Sequence, residues 1–369
     1  MTLTDFAALF GTGLTVKYAD PTLVTGSDNG ADWANAFKTP ASLIAAEAAG
    51  WCVAVKSCDL ATTTTWAAPT TAGTAAQPIV WVAVDGSDNV VDDTNWKGYG
   101  HAVGVYVDMT GRVGDQRGIN SNAAYRFYYG FHAYKANHAL VNLSGVGNVF
   151  RYCKTEESVV AGMYNNGVGC VVENCIFDGD VLGINLANAA LPCRRCHFNA
   201  CTVAVSGSYP TFSKCLFTNN TKAATCGSTV INTFLNCAFR GNTTDLDPSS
   251  ASAILHLINC TIANSITFLD LANTGQCVVL RNLRYYNVTN FAVGVGAGNV
   301  TSLDGVSLLT SDPFPNAGSG NYMSDSTIAI LRNYMTRINA ATYVYEDAGL
   351  PQEVVAGAKR RPRIRTHGV

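Results

Sequence analysis

The chain has 369 residues, of which 48% are hydrophobic and only 14% charged, and its formal net charge is −2. This composition excludes intrinsic disorder, and the charge argues against a nucleic-acid partner, which requires a basic surface. The longest apolar run, Ile79–Val84, is much shorter than the roughly 20 residues that span a bilayer, so no membrane partner is expected. With 34 glycines, the chain is predicted to be β-rich with many tight turns.

The N-terminal part of the chain predicts an extension followed by a cap. Residues 41–49 are rich in alanine and follow Pro40, a pattern typical of a short helix. Trp51–Val55 and residues 78–84 are predicted to be strands. Residues 1–13 contain no basic side chain, so no secretory signal is visible and reduced thiols are expected.

A short string recurs along residues 131–308: an apolar anchor, usually Cys, is followed two positions later by Phe or another apolar residue. This alternation is typical of a strand with one buried face, and the variable residue between the two is predicted to face solvent. Asn or Gly follows most anchors and tolerates the left-handed backbone of sharp corners. The repeat therefore predicts an all-β fold, a right-handed parallel β-helix of about 22 residues per turn. The anchors are at 131, 153, 175, 196, 215, 237, 260, 283 and 306.

The 13 cysteines are predicted to be core residues. An odd number without a secretory signal argues against a complete disulfide framework. Cys193 and Cys196 lack the second Cys pair that a zinc ribbon needs, so no metal or other cofactor is expected. Successive turns stack about 4.8 Å apart, which places equivalent residues over one another. The predicted interior files are Cys153, Cys175, Cys196, Cys215, Cys237 and Cys260, beside Phe177, Phe198, Phe217 and Phe239.

Both ends of the repeat region resemble a known family. Trp33–Phe37 (sequence WANAF), the helix after it and the strand that follows resemble the N-terminal start of pectin-lyase-like β-helix proteins from bacteria and tailed bacteriophages. Residues 71–80 resemble phage-encoded members, and Asp312–Phe314 with Gly320–Tyr322 is similar to the closing segment of the group. The resemblance covers most of 30–325 and implies the fold, which hosts enzymes, adhesins and structural proteins.

The acidic residues of the repeat region give little support for catalysis. A glycoside hydrolase needs two nearby carboxylates, and a pectate-type lyase needs calcium-binding acids and a base. Asp178 and Asp180 do not share their position in the repeat with Asp245 and Asp247, so stacking of acids on neighbouring turns is not expected. Asp178 with Asp180 remains the candidate catalytic pair, and a non-enzymatic protein is expected.

Two further segments are candidates for contact with partners. Residues 357–369 contain five basic side chains and no acid, so they predict either a solvated tail or an arm that binds a partner. The aromatic segment 96–134 either stacks on sugars, forms an interface or fills the wide early turns. The five basic candidates are Lys359, Arg360, Arg361, Arg363 and Arg365.

These observations predict a structural protein of a tailed-phage virion, assembled in the host cytoplasm. Capsid decoration or a head or neck appendage that binds other virion proteins is expected, with a homotrimer by analogy. The alternatives are a tailspike-like polysaccharide-binding protein or depolymerase, and a bacterial surface or polysaccharide-processing protein. The predicted parts are the extension and cap (1–60), irregular first turns (61–130), regular turns (131–310), a C-terminal cap (311–356) and the basic tail (357–369).

Overall fold

The computed structural model describes residues 1–10, 13–186, 191–207, 210–227, 231–294 and 300–313, and the backbone of three short strands beyond them. Two helices precede the repeat, α1 (Leu3–Ala8) and α2 (Pro40–Ala46). The described strands form three long parallel sheets, and each turn of the chain contributes one strand to each sheet. The prediction of a right-handed parallel β-helix is confirmed.

Sheet 1 has twelve described strands. They are β1 (Thr15–Ala19), β2 (Trp51–Lys56), β4 (Ile79–Val84), β7 (Arg126–Tyr129), β10 (Val149–Arg151), β13 (Val171–Glu173), β16 (Leu191–Arg194), β19 (Pro210–Ser213), β22 (Ile231–Leu235), β25 (Ile254–Ile258), β28 (Cys277–Arg281) and β31 (Val300–Asp304).

Sheet 2 has eleven described strands. They are β3 (Cys58–Ala61), β5 (Val105–Asp108), β8 (Phe131–Tyr134), β11 (Lys154–Glu156), β14 (Ile176–Asp178), β17 (His197–Asn199), β20 (Leu216–Thr218), β23 (Ala238–Arg240), β26 (Thr261–Ala263), β29 (Arg284–Tyr286) and β32 (Ser307–Leu308).

Sheet 3 has nine described strands, and a small antiparallel sheet follows the β-helix in the chain. Sheet 3 consists of β6 (Arg117–Ser121), β9 (His138–Asn142), β12 (Ala161–Asn165), β15 (Leu182–Leu186), β18 (Val203–Gly207), β21 (Lys222–Cys226), β24 (Thr244–Leu246), β27 (Thr267–Asp270) and β30 (Asn290–Val293). The antiparallel strands are β33 (Asn321–Tyr322), β34 (Arg337–Asn339) and β35 (Tyr345–Glu346).

A single residue in the left-handed region turns the chain from sheet 1 into sheet 2. Asn174, Arg195 and Lys214 occupy this corner in consecutive turns, with φ between 53° and 58°. Asparagine is the residue expected here, because it tolerates this backbone better than most other residues. Arg195 and Lys214 adopt it as well, and their long side chains consequently stand at the edge of sheet 1.

The cysteine and phenylalanine side chains of the repeat lie inside the β-helix. All six cysteines of the file are at most 1% exposed, and burial raises the pKa of Cys175, Cys196, Cys215 and Cys237 well above the ordinary value. The rings of Phe198 and Phe217 are nearly parallel with centroids 4.9 Å apart. This spacing matches the rise per turn, so equivalent side chains stack directly.

A polar file lines the interior where sheet 2 turns into sheet 3. The side-chain oxygen of Asn220 accepts a hydrogen bond from the backbone N–H of Cys201 at 2.9 Å, and Asn242 accepts one from Asn220 at the same distance. Asp180 occupies the equivalent position and accepts from the N–H of Ser158 at 2.7 Å. Each of these side chains therefore satisfies a buried donor of the preceding turn.

The prediction that the residue between the two anchors faces solvent is wrong for most turns. His197 is 8% exposed, Leu216 is 0% and Arg284 is 6%. Asp312, which follows the last strand of sheet 2, contacts Arg240 on this face. The position is buried in early turns as well as in later ones. The buried residues of this position are His132, Ile176, His197, Leu216, Ala238, Thr261 and Arg284.

The N-terminal cap contains a buried ionic contact. The helix predicted over 41–49 ends at Ala46, because Glu47 has an extended backbone and turns its side chain inward. Its carboxylate accepts from Trp81 Nε1 at 2.6 Å and from both terminal nitrogens of Arg126.

Among the described residues, no helix is long and apolar enough to cross a bilayer.

Candidate functional site

A cleft of about 590 Å³ lies on the outer face of sheet 1, over strands β13, β16, β19 and β22. Six of its eight lining residues are polar or charged, with three basic side chains and one acid. The lining residues are Glu173, Pro192, Arg194, Arg195, Thr211, Ser213, Lys214 and Leu235.

The alternation along sheet 1 explains why these side chains point outward. The preceding residues Val172, Cys193, Phe212 and Phe234 are fully buried in the interior. Their successors Glu173, Arg194, Ser213 and Leu235 therefore lie on the opposite face. These four are paired in register across adjacent strands, which places them in one straight file along the cleft.

Glu173 organises the charge at one end of the cleft. Its carboxylate is 8% exposed and forms ion pairs with Arg151 and Arg195. Burial raises the pKa of Glu173, but the hydrogen bond from Arg195 and the charge of Arg151 outweigh burial, so its pKa lies below the ordinary value. Glu173 is therefore an anion that holds two guanidinium groups in place.

The cleft carries excess positive charge. Arg194, Arg195 and Lys214 face a single lining acid, Glu173, whereas the whole chain has a net charge of −2. Arg194 is exposed and forms no ion pair with any residue of the described ranges. A concave surface with this charge attracts anionic ligands, and arginine binds carboxylates with two parallel hydrogen bonds.

The candidate catalytic pair from the sequence is separated by the wall of the β-helix. Asp180 lies inside, where its carboxyl accepts hydrogen bonds from Thr155 Oγ1 at 2.5 Å and from Ser158 N. Burial raises the pKa of Asp180 to about 7. Asp178 lies outside, where it accepts from Asn199 Nδ2 at 2.8 Å. The structure does not bring Asp178 and Asp180 to one surface.

Asp178 does stack with an acid of the neighbouring turn, contrary to the sequence-based expectation. Glu156 and Asp178 are in register on the outer face of sheet 2, and Lys154 Nζ lies 2.9 Å and 3.6 Å from their carboxylates. His132 Nε2 is 2.9 Å from Glu156, and this hydrogen bond, with Lys154, lowers the pKa of Glu156 to about 2. The shared position, three residues after the anchor cysteines, was the signal in the sequence that could have identified this pair.

The remaining sequence-based candidates fall into two groups. Lys359, Arg360, Arg361, Arg363 and Arg365 lie outside the described residues. In the aromatic segment, Trp96, Tyr128 and Phe131 are at most 2% exposed and fill the early turns. Tyr106 and Tyr134 are partly exposed on the outer face of sheet 2, with ring centroids 6.3 Å apart.

No group of three or more His, Cys, Asp or Glu side chains suited to a metal ion occurs in the described part of the chain.

The basic cleft was missed by the sequence analysis, although a signal was present. Arg195 and Lys214 both directly precede an anchor cysteine, and Arg194 precedes the first of them. Equivalent positions on adjacent turns lie side by side, so this spacing places the three charges on one surface.

Comparison with known proteins supports the fold. No protein-family model and no curated protein matches the chain. Pectate lyase Pel9A matches with a TM-score of 0.57 and 13% identity, over 98% of this chain and 96% of its own. A rhamnogalacturonan lyase matches at 14% identity over 74% of each chain, with a TM-score of 0.43. The family 28 exopolygalacturonase of Yersinia enterocolitica matches at 14% identity over 80% of this chain and 79% of its own, with a TM-score of 0.43.

These neighbours correct one expectation. The chain was predicted to be non-enzymatic, and pectate lyase Pel9A, which shares its β-helix along nearly the whole chain, is an enzyme by name. Nothing in these matches points to a phage. The chain is thus similar in fold to pectate lyase Pel9A along nearly its whole length.

Proposed function

We propose that the protein binds and cleaves an acidic polysaccharide in the cleft on sheet 1. The observation that carries this proposal is the grouping of Arg194, Arg195 and Lys214 around a concave surface of an otherwise slightly acidic chain. A polysaccharide of uronic acids presents carboxylates at regular intervals, and Arg195 and Lys214 occupy the same corner of two consecutive turns, about 4.8 Å apart. The name of the neighbour that aligns along nearly the whole chain, a pectate lyase, agrees with this substrate class.

The arginines have different tasks in this proposal. Arg195 is held by Glu173 and contributes a fixed positive field. Arg194 is the last residue of β16, is exposed and is available for a bidentate contact with a uronate carboxylate. Neutralising that carboxylate makes the hydrogen on the neighbouring carbon more acidic, which favours its removal by a base.

Lys214 is the proposed base of a β-elimination. A guanidinium does not lose its proton under ordinary conditions, and the Glu173 carboxylate is engaged by two arginines, so the proposal assigns the role of base to the amine. The amine takes the C5 proton of the uronate, a C4–C5 double bond forms, and the C4–O bond breaks. The leaving oxygen takes a proton from solvent and Lys214 returns its proton to solvent, so no water is consumed overall.

The experiment is incubation of the full chain with polygalacturonate and with alginate. We expect a rise in ultraviolet absorbance from the unsaturated uronate, and shorter chains on gel filtration. Lys214→Met should abolish cleavage, and Lys214→Arg should abolish cleavage but retain binding. Arg194→Ala should weaken binding about tenfold or more, the effect of losing one charge-assisted contact. Absence of binding to both polymers would overturn the proposal.

A place in a phage particle is a separate proposal. We infer a tailspike-like protein, supported by the resemblance of residues 33–37 and 71–80 to phage-encoded proteins, and a homotrimer is proposed on the same analogy. Mass spectrometry of purified particles, with antibody labelling of head and tail, tests the location. Absence of the chain from such particles would refute it without affecting the activity proposal.

A further inference from the structure

The outer face of sheet 1 changes character beyond the cleft. Over β22, β25 and β28 the outward residues are mostly apolar, whereas the outward residues of β13 and β16 include the charged Glu173 and Arg194. Apart from Arg281, the last residue of β28, the outward residues of these three strands are Ile231, Thr233, Leu235, Ile254, His256, Ile258, Cys277 and Val279. We call Ile231, Leu235, Ile254, Ile258 and Val279 the apolar floor.

The apolar floor is accessible from outside. Ile231 is 49% exposed, and the other four residues are partly exposed. Their neighbours Phe234, Leu257 and Leu280 are at most 1% exposed and fill the interior. The floor is therefore a surface feature and not an extension of the core, and contiguous exposed apolar residues mark binding surfaces.

The apolar floor continues the cleft without interruption. Leu235 lines the cleft and also pairs in register with Ile258. The file that begins with Glu173 and Arg194 therefore runs through Ser213 and Leu235 to Ile258. Three turns separate Arg194 from Ile258, which corresponds to about 14 Å. A polymer bound at Arg194 along this face consequently reaches the floor within a few sugar units.

We propose that the apolar floor is a subsite for O-acetylated units of the same acidic polysaccharide. This inference rests on the proposed function and adds to it an O-acetylated polymer as the substrate. The methyl of an acetyl group and the C–H face of a sugar ring gain free energy on burial against Ile254 and Ile258. Thr233 and His256, in the middle file, can hydrogen-bond the remaining hydroxyls.

The position of the polar residues favours a sugar over an apolar peptide or lipid. Thr233 and His256 are paired in register between the two apolar files, so a ligand must present polar groups along its centre line. Basic side chains lie at both ends, Arg194 in the cleft and Arg281 on β28, and both are exposed. A polymer in which less polar units lie between charged units complements this order of side chains.

The test compares binding of unmodified and O-acetylated polygalacturonate, and of both forms of alginate, by titration calorimetry. We expect the wild-type chain to prefer an acetylated form by about threefold to tenfold, the effect of burying a methyl-sized group. Ile258→Thr should remove the preference and leave binding of the unmodified polymer unchanged. Ile266→Thr is the matched control, since Ile266 is 52% exposed and directly precedes β27 of sheet 3, away from the apolar floor. This variant should keep the preference for the acetylated polymer.

Alkylation of Cys277 gives a second readout that does not depend on activity. Cys277 pairs with Ile254 on the same face and is partly exposed, so the acetylated polymer should protect its thiol. Equal affinity for both forms, with no protection of Cys277, would overturn the subsite while the proposed function stands. Failure of every polymer to bind would overturn both.

Discussion

Glu47 and Arg126, 79 residues apart in the chain, form an ion pair that is completely buried between the N-terminal cap and sheet 1. Arg126 Nη1 lies 2.6 Å from Glu47 Oε2, and both side chains are 0% exposed. Arg126 Nε also donates to Tyr128 Oη, and Trp81 Nε1 donates to Glu47. This contact fastens the cap to the first turns and covers the open end of the solenoid.

Glu47→Gln should destabilise the protein by about 3–5 kcal/mol, because it leaves the Arg126 guanidinium buried without a counter-charge. Urea unfolding followed by circular dichroism measures the change. Asp115→Asn is the control, since Asp115 pairs with Arg117 at a half-exposed site, where loss of an ion pair costs about 1 kcal/mol or less. Equal losses for the two variants would contradict the structural role of the buried pair.

Asp180→Asn should change how stability depends on pH. Burial raises the pKa of Asp180 to about 7 in the folded state, against about 3.9 in an unfolded chain. Folding therefore favours the protonated form, and the stability it contributes is complete below about pH 4 and is lost as the pH rises towards 7. The amide cannot ionise and fits the position that Asn220 and Asn242 occupy in later turns.

Urea unfolding at pH 4 and at pH 8 distinguishes these states. We expect Asp180→Asn to be more stable than wild type at pH 8, by about 1.4 kcal/mol for each unit of the pKa shift, and to differ little at pH 4. Asp178→Asn, on the exposed side of the same turn, is the control. Asp245 is also fully buried and its pKa is raised to about 8, so some pH dependence should persist. An unchanged pH dependence would disprove the assignment.

Thiol labelling of the native protein should modify Cys277 first. Eleven of the 13 cysteines are buried, and only Cys58 and Cys277 are partly exposed. Burial raises the pKa of Cys58 to about 12, so little of its reactive thiolate is present at neutral pH. We expect one fast-reacting thiol in native buffer and all 13 in denaturant, with Cys277→Ser removing the fast reaction. Rapid labelling of several thiols would contradict the buried file.

Phe217→Ala should destabilise the fold strongly. The ring stacks between Phe198 and Phe239, with centroid distances of 4.9 Å and 4.8 Å, and is 0% exposed. Its removal leaves a cavity in the middle of the file, which costs about 3–5 kcal/mol. Phe217→Leu fills most of the space and should cost less. Thermal unfolding compares the two variants, and similar melting temperatures would show that the file does not act as a packed unit.

The period-two spacing of anchors such as Cys175 and Phe177 predicted the coil and the interior files from the sequence, because identical positions repeat on every turn. The burial of Leu216 and Ala238 on the outer face of sheet 2 could not be predicted in this way. On the same face, Arg240 contacts Asp312, which is 72 residues further along the chain. Such contacts follow from tertiary packing and leave no periodic signal.

The candidate site was less predictable than the fold for a related reason. The site expected from the sequence was a pair of acids, whereas the cleft in the structure is basic. Its charges at Arg195 and Lys214 occupy corner positions where asparagine is the ordinary choice. Comparison of corner residues turn by turn would have revealed this departure. The ion pairs of Glu173 with Arg151 and Arg195 cross two turns and required coordinates.

The one-residue corner described above has a consequence for how this chain can diversify. At that corner a single inserted residue would shift the register of the strand that follows, and the interior side chains of that strand would be exchanged for exterior ones. The connection from sheet 3 to sheet 1 varies in length. The shortest consists of residues 208–209 and the longest of residues 247–253, and the strands before and after both connections remain stacked. New ligand specificities can therefore be acquired along one border of the sheet 1 face, while the scaffold stays constant.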